Sequence, residues 1–183
     1  LTSCSGLQAI AFWAIRRDAI EAVTQAEGNP NLVTSKFDAE TVKAFENAAK
    51  DKDSRVRAAA ISGLGRMRTE KYATLFTASL NDRSYGVIDS ASVALARTKD
   101  AKAFENLIKL LETPSWKDRI RLAGLQSLAV LGDKRALEYG FKYNDKTYSA
   151  AVRSSSLGVL AATGQGDARV FPLLIENFKN GLE

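Results

Sequence analysis

One pattern of large and small residues occurs four times in this chain at nearly constant spacing. In its first copy the large residues are Val56 and Leu64, and the small ones are Ala59 and Ala60. The later copies are Val87, Ser90, Ala91 and Leu95; Ile120, Ala123, Gly124 and Leu128; and Val152, Ser155, Ser156 and Leu160. A pattern that returns about every 32 residues predicts a stacked array of helix pairs, an all-α fold of the α-solenoid type.

Each repeat is predicted to contain an inner and an outer helix. The inner helices carry the pattern above and are expected near residues 9–26, 54–66, 84–97, 116–131 and 149–163. The outer helices are expected near residues 38–50, 70–80, 100–112, 134–144 and 167–180. About five helix pairs are therefore expected, and residues 1–183 are predicted to form a single repeat domain.

The outer helices have an apolar column of their own, at positions i, i+3 and i+7. This spacing places one stripe on each helix. The five sets are Val42, Phe45 and Ala49; Ala73, Phe76 and Leu80; Phe104, Leu107 and Leu111; Ala136, Tyr139 and Tyr143; and Phe171, Leu174 and Phe178.

A less regular unit comes first in the chain. Ile15, Ala19, Ile20 and Val23 match Val56, Ala60, Ile61 and Leu64 at one constant offset, which is longer than the offsets between the regular copies. The extra length is predicted to be an inserted loop over residues 28–36, which contains Gly28 and Pro30.

Composition argues against a catalytic chain. The sequence contains no histidine and one cysteine, so the commonest zinc ligand and general base are absent, and no intrachain disulfide is available. No glycine-rich phosphate loop or calcium-binding spacing occurs. We therefore expect no enzyme activity, cofactor or metal in this chain. No apolar run approaches the roughly 20 residues that a membrane span needs.

The residues around the first copy resemble the short HEAT-like repeat of the PBS-lyase type. The resemblance is carried by Asp51-x-Asp53-x-Arg55-Val56-Arg57-x-Ala59-Ala60, by Leu131-Gly132-Asp133-x-Arg135-Ala136 and by Gly166-Asp167-Ala168-Arg169. It extends over about residues 10–180. A HEAT-like chain implies a scaffold for protein partners.

The resemblance also implies a polar ladder between repeats. In that family an Asp before the inner helix and an Arg after its Val form the ladder. Asp51 and Asp82 fit the first position here, and Arg57, Arg121 and Arg153 fit the second. Ile88 takes the Arg position in one repeat, and Ser115 and Thr147 take the Asp position in two others, which predicts a broken ladder.

A narrower resemblance concerns the first helix. The segment from Arg16 to Val23, followed by the inserted loop, is similar to the C-terminal helical region of bacterial M1-type aminopeptidases. This implies a non-catalytic tail of a larger peptidase. No residue of that family's zinc motif can be placed here, because the chain has no histidine.

The net charge of +5 falls mainly in the middle of the chain, so a basic concave groove is the expected binding surface. Besides Arg66 and Arg68, the residues assigned to this surface are Arg55, Arg57, Trp116, Lys117, Arg119, Arg121 and Arg153. The same groove could serve an adaptor for a protein partner or a binder of nucleic acid.

We expect a protein partner first. Neither end of the array is predicted to be capped, since Phe12 and Trp13 have no outer helix before them and the last outer helix has no inner helix after it. The sequence is thus expected to be a piece of a longer chain or to meet a partner at its ends. The compartment is left open.

Overall fold

The computed structural model describes residues 4–26 and 37–180, and all regular structure within them is helical. The prediction of an all-α fold is confirmed. The described α-helices are α1 (Cys4–Ala26), α2 (Ala39–Ala48), α3 (Ser54–Arg66), α4 (Ala73–Ser79), α5 (Tyr85–Thr98), α6 (Ala103–Leu111), α7 (Arg119–Leu131), α8 (Leu137–Tyr143), α9 (Ala150–Thr163) and α10 (Val170–Asn180). The inserted loop expected at residues 28–36 lies outside the described residues.

The chain divides into two compact units, Leu1–Asp100 and Ala101–Glu183. In the first unit α3 packs against both α1 and α5, while α2 packs on α3 and α4 packs on α5. In the second unit α7 packs against α9, α6 packs on α7, and both α8 and α10 contact α9. Each unit therefore has a layer of inner helices and a layer of outer ones. The single domain over residues 1–183 stays a prediction.

The helix bounds differ most from the expected ones at α1, which begins at Cys4 rather than near residue 9, and α7 also begins late. The inner helix expected at 116–131 begins at Arg119, because Lys117 and Asp118 have φ angles of 48° and 56°. These left-handed conformations cannot continue a right-handed helix. Residues Trp116–Asp118 instead form a separate 3-10 turn, as do Glu70–Tyr72 and Lys134–Ala136 before α4 and α8.

Short polar side chains start several of the helices. The Asp53 carboxylate accepts from the backbone N–H of Arg55 before α3, and the Ser149 hydroxyl accepts from that of Val152 before α9. Each bond satisfies an N–H that has no partner within its helix. The Asp and Ser residues that precede the repeat pattern therefore define where these inner helices begin.

The inner helices are buried along their repeated pattern. The large residues of all four copies and the second small residue of each copy are buried: Val56, Ala60, Leu64, Val87, Ala91, Leu95, Ile120, Gly124, Leu128, Val152, Ser156 and Leu160. Small side chains let neighbouring helices come close. A Cβ atom on Gly65 would lie 2.6 Å from the Cβ atom of Ala94, so α3 and α5 nearly touch at this point.

The apolar stripe expected on the last outer helix is wrong in two of its three members. Phe171 and Phe178 are 71% and 76% exposed, whereas Val170 is buried. The helix contacts α9 through the Val170 side, which lies against Gly164. Only one side of α10 is therefore covered within the described part of the chain.

The first helix, α1, also exposes an apolar residue at a position that the repeat pattern predicts to be buried. Ile20 is buried like its equivalent Ile61, but Ile15 is 67% exposed although its equivalent Val56 is buried. The main contacts of α1 are with α3. The side of α1 that bears Ile15 and Val23 therefore lies open within the described residues, whereas the regular repeats cover that position.

Candidate interaction surface

A groove of about 360 Å³ lies where α1, α3 and α5 meet in the first unit. Its floor consists of small side chains from α3 and α5, namely Ala58, Ala59, Ser62 and Ser90. Ala59 and Ser90 are the first small residues of their repeats, and they are only partly buried. In these two repeats the second small residue is buried between the helices, while the first stays partly open to solvent.

The rim of the groove is polar. Glu21 and Gln25 line it from α1, where Thr24 is buried beneath them, and Arg55 and Arg66 line it from the two ends of α3. The described residues of α2 and α4 do not line it. The groove therefore belongs to the inner helices.

Of the residues assigned to the basic surface, Arg55 and Arg66 line this groove, and Arg55 is held more firmly. Its guanidinium lies 3.1 Å from the centre of the Trp13 ring and forms a 2.7 Å ion pair with Asp53. The Arg55 hydrogen bond lowers the pKa of Asp53 to about 2. Trp13 and Asp53 hold the Arg55 side chain in place at the rim.

Arg57 is used inside the fold instead. It donates to both carboxylate oxygens of Asp82 at 2.9 Å and to the carbonyl oxygens of Asp51 and Lys52. Burial raises the pKa of Asp82, but the hydrogen bonds from Arg57 and Ser84 outweigh it and lower that pKa overall. This pair links successive repeats as the resemblance implied.

A second link of the same kind was missed by sequence reasoning. Arg16 donates to the Asp51 carboxylate at 3.0 Å. Arg16 precedes Arg57 by the same offset that relates Ile15 to Val56 in the first unit of the repeat. Extending that alignment by one position past Ile15 would have placed Arg16 in the ladder.

The cluster around Trp116 lies at the turn before α7 in the second unit. Trp116 is 66% exposed, the Lys117 ammonium lies 4.6 Å from the centre of its ring, and Arg119 is exposed. Arg121 faces the other way, pairing with Asp118 and donating to the carbonyl oxygen of Leu111 at 2.8 Å. Trp116, Lys117 and Arg119 therefore remain on the surface, while the charge of Arg121 is used within the turn.

Arg153 occupies the ladder position of α9 and differs from Arg57. Its Nε atom is buried without an acceptor among the described residues. The side chain lines a cavity of about 310 Å³ with Asn144, Lys146, Glu176 and others. Thr147 stands where the partner of Arg121 would lie, so the ladder is broken at Arg121, which pairs with Asp118 of its own turn instead.

A further arginine was not assigned by the sequence. Arg97 lies in the last turn of α5, one repeat length after Arg66, which ends α3. Burial lowers the pKa of Arg97, and the positive charges of Arg68 and Arg66 lower it further. The repeat offset would have found Arg97, since it applies to surface positions as well as to core positions.

The described residues contain no group of three or more His, Cys, Asp or Glu side chains placed to hold a metal ion. The geometry offers a groove and paired surface charges.

Family models recognise the repeat directly. Residues 4–96, just over half of the chain, match the model for HEAT repeats. The chain belongs to the HEAT repeat family. The matched residues run from the start of α1 almost to the end of α5, so the groove lies within the HEAT repeats that the model covers.

A solved structure shares this HEAT fold. It is a chain in the structure of the complex of CpcE and CpcF of phycocyanin lyase from Nostoc sp. PCC7120, with a TM-score of 0.60 and 23% sequence identity. The alignment covers 81% of this chain and 63% of that one, so this chain spans less than two thirds of the other. The predicted helical solenoid is confirmed. No curated protein matches the sequence.

Polar links also join HEAT repeats on the outer helices of the second unit. Arg135 pairs with Asp133 at its own turn and with Glu105 one repeat earlier, each at 2.7 Å. Arg169 pairs in the same way with Asp167 and with Glu138. The Gly-Asp-x-Arg motifs that carried the resemblance therefore connect consecutive repeats.

A membrane-spanning helix must be both long and apolar. Among the described residues, no helix combines the length and the apolar character that are needed to cross a bilayer.

Proposed function

We propose that this chain is a non-catalytic HEAT-repeat module that binds a protein partner in the groove of α1, α3 and α5. The observation that carries the proposal is the groove itself. It has a floor of small side chains, a polar rim and an Arg55 side chain held by Trp13 and Asp53. A partner segment could lie on this floor without displacing any core residue.

The scaffold role also draws support from the chemistry of the chain. The sequence has no histidine, and its described acidic residues form no metal-binding group. At 23% identity, the similarity to a chain of the phycocyanin lyase complex supports a shared fold only, so we do not propose lyase activity for this chain. That similar chain belongs to a complex of two proteins, CpcE and CpcF, which supports a protein as the partner here.

The identity of the larger protein that would contain this module is a question separate from what the groove binds. The proposal that this module is the C-terminal region of a larger M1-type aminopeptidase rests on the resemblance of residues 16–23, and the family and structure matches add nothing to it. The binding role of the groove does not depend on the parent. It can be tested on the module itself.

Nucleic acid is the alternative ligand. The net charge of +5 favours it. Against it, Arg16, Arg55, Arg57, Arg121, Arg135 and Arg169 all form ion pairs within the protein. Among the described residues, no aromatic side chain lines the groove to stack on a base. The paired charges and the small floor favour a polypeptide.

Capture of partners on immobilised protein tests the proposal. The Ser62→Trp variant fills the floor of the groove at an exposed position of α3, and Ala44→Trp adds the same side chain at an exposed position of the outer helix α2. We expect one or more proteins from a lysate of the source cells to bind the wild type and Ala44→Trp, and to be lost with Ser62→Trp. Mass spectrometry identifies the retained proteins.

Circular dichroism and thermal melts must first show that both variants are folded. A partner that binds all three proteins equally would refute the groove as its site. A failure to retain any protein above the empty resin would refute the proposal as a whole.

A further inference from the structure

Three arginines lie at the C-terminal ends of neighbouring inner helices in the first unit. Arg66 is the last residue of α3, Arg97 is in the last turn of α5, and Arg68 follows α3 by two residues. Arg68 has a φ angle of 49°, and its side chain is exposed. We call these three residues the arginine cluster.

The packing of α3 on α5 explains why the cluster forms. The helices pack tightly at Gly65 and Ala94, where a Cβ added to Gly65 would lie 2.6 Å from the Cβ of Ala94. Arg97 follows Ala94 by three residues and therefore shares its side of α5. Arg66 directly follows Gly65. The two arginines thus start from adjacent points of closely packed helices.

The charges of the cluster are not neutralised within the described residues. Arg66 donates to the carbonyl oxygen of Thr24 at 2.7 Å, which is a neutral acceptor. No ion pair involves Arg66, Arg68 or Arg97 in the described part of the chain, whereas Arg55 and Arg57 each pair with an aspartate. The lowered pKa of Arg97, due to burial and then to the charges of Arg68 and Arg66, agrees with this excess of positive charge.

A structural role accounts for part of this arrangement. A cation at the C-terminal end of a helix interacts favourably with its dipole, and Arg66 and Arg97 both have that position. The dipole does not explain Arg68, which lies beyond the helix end. It also gives no reason to partly bury Arg97 beside two like charges.

The cluster is continuous with the groove. Arg66 lines the groove, and so does Ser90, which precedes Arg97 by seven residues and is on the same side of α5. We propose that the arginine cluster binds carboxylate groups of an acidic peptide segment whose neighbouring residues lie in the groove. This inference rests on the proposed function and names the chemistry of the partner.

Carboxylates fit the cluster better than a nucleic-acid backbone does. A guanidinium can donate two parallel hydrogen bonds to one carboxylate, and three guanidinium groups can hold adjacent acidic side chains. Glu21 lines the groove and would repel a continuous row of phosphates. A peptide avoids repulsion by Glu21 if its acidic residues bind at the arginine cluster and its small neutral residues lie in the groove.

Binding of a fluorescein-labelled poly-glutamate peptide, measured by anisotropy, tests the inference. A poly-glutamine peptide of equal length is the ligand control. Arg97→Gln and Arg68→Gln each remove a cluster charge, and Arg83→Gln removes an exposed arginine that belongs to no ion pair among the described residues. We expect each cluster variant to weaken poly-glutamate binding about tenfold, and Arg83→Gln to weaken it less than about twofold.

The melting temperature distinguishes a ligand-binding role of Arg97 from a role in stabilising the C-terminal end of α5. If Arg97 serves the helix dipole, Arg97→Gln lowers the melting temperature. If it is held for a ligand, the melting temperature is unchanged or rises, because a partly buried like charge has been removed. We expect the second result.

Three results would overturn the inference: poly-glutamate binding no better than poly-glutamine binding, equal weakening by Arg83→Gln and Arg97→Gln, or tighter binding of poly-dT than of poly-glutamate. The capture experiment keeps this inference distinct from the proposed function. If Ser62→Trp abolishes partner capture and Arg97→Gln does not, the groove function stands and the acidic partner is refuted.

Discussion

Arg57 and Arg153 occupy equivalent positions of two inner helices but have opposite surroundings. The guanidinium of Arg57 has four hydrogen bonds, two of them to Asp82. The Nε atom of Arg153 is buried and has no acceptor in the described part of the chain. A partly buried charge stabilises a fold only when its partners are present. The same residue type at the same repeat position therefore contributes differently to stability.

Substitution of each arginine by methionine measures this difference. We expect Arg57→Met to lower the free energy of unfolding by about 2 kcal/mol, because it leaves Asp82 without its partner. We expect Arg153→Met to change it by less than about 0.5 kcal/mol or to raise it, because an unsatisfied group is removed. Urea unfolding of both variants gives the values. Equal losses would contradict the assigned pairing.

At the scale of the helices, α5 and α7 end at the same position of the repeat, but the residue at that position differs between them. Gly132 ends α7 with a φ angle of 67°, and Lys99 ends α5 with a φ angle of 56°. This left-handed conformation is easy for glycine and costs other residues about 1 kcal/mol. Lys99 is therefore strained at a position where its counterpart is not.

Substitution of Lys99 and of Gly132 tests this backbone strain. We expect Lys99→Gly to raise the free energy of unfolding by about 1 kcal/mol and Gly132→Ala to lower it by about 1 kcal/mol. A Cβ on Gly132 meets no atom within 4 Å, so the loss is due to the backbone alone. Thermal melts compare the variants, with Lys99→Ala as the control that removes the charge and keeps the strain. Stabilisation by Lys99→Ala equal to that of Lys99→Gly would show that the charge, not the backbone, is at fault.

For the molecule as a whole, acidic residues determine how stability depends on pH. Among the described residues, nine carboxyl groups have lowered pKa values because of hydrogen bonds from neighbouring side chains and backbone N–H groups; they are Asp38, Glu46, Asp53, Asp82, Glu105, Glu112, Asp133, Asp145 and Asp167. A carboxyl whose pKa is lower in the folded state stabilises the fold above its unfolded pKa. That contribution is lost as the pH falls through the folded value.

The absence of histidine makes the expected profile simple. We expect the free energy of unfolding to be nearly constant between about pH 5 and about pH 8, where no imidazole titrates, and to fall below about pH 4 as the carboxylates are protonated. The pKa of about 2 for Asp53 predicts that part of the loss extends to about pH 2. Urea unfolding across this range measures the profile. A loss of stability near pH 6 would contradict the assignment.

The sequence alone determined the class of fold and much of its organisation. Large and small residues that recur about every 32 residues imply helices that pack on their own copies, and helix periodicity is a local property that a sequence displays directly. The expected inner helix at residues 54–66 coincides with α3. The start of α7 was misplaced because nothing in the pattern shows that Lys117 and Asp118 adopt left-handed conformations.

Only the tertiary structure decided which charges are available for binding. Arg55 and Arg57 were both assigned to the binding surface and Arg97 was not, yet Arg55 is stacked on Trp13, Arg57 is paired with Asp82, and Arg97 is partly buried beside other arginines. These outcomes depend on distances between residues about 25 to 40 positions apart, which the packing of helices sets. Composition and period leave such distances open because electrostatic pairing depends on separation in space rather than along the chain.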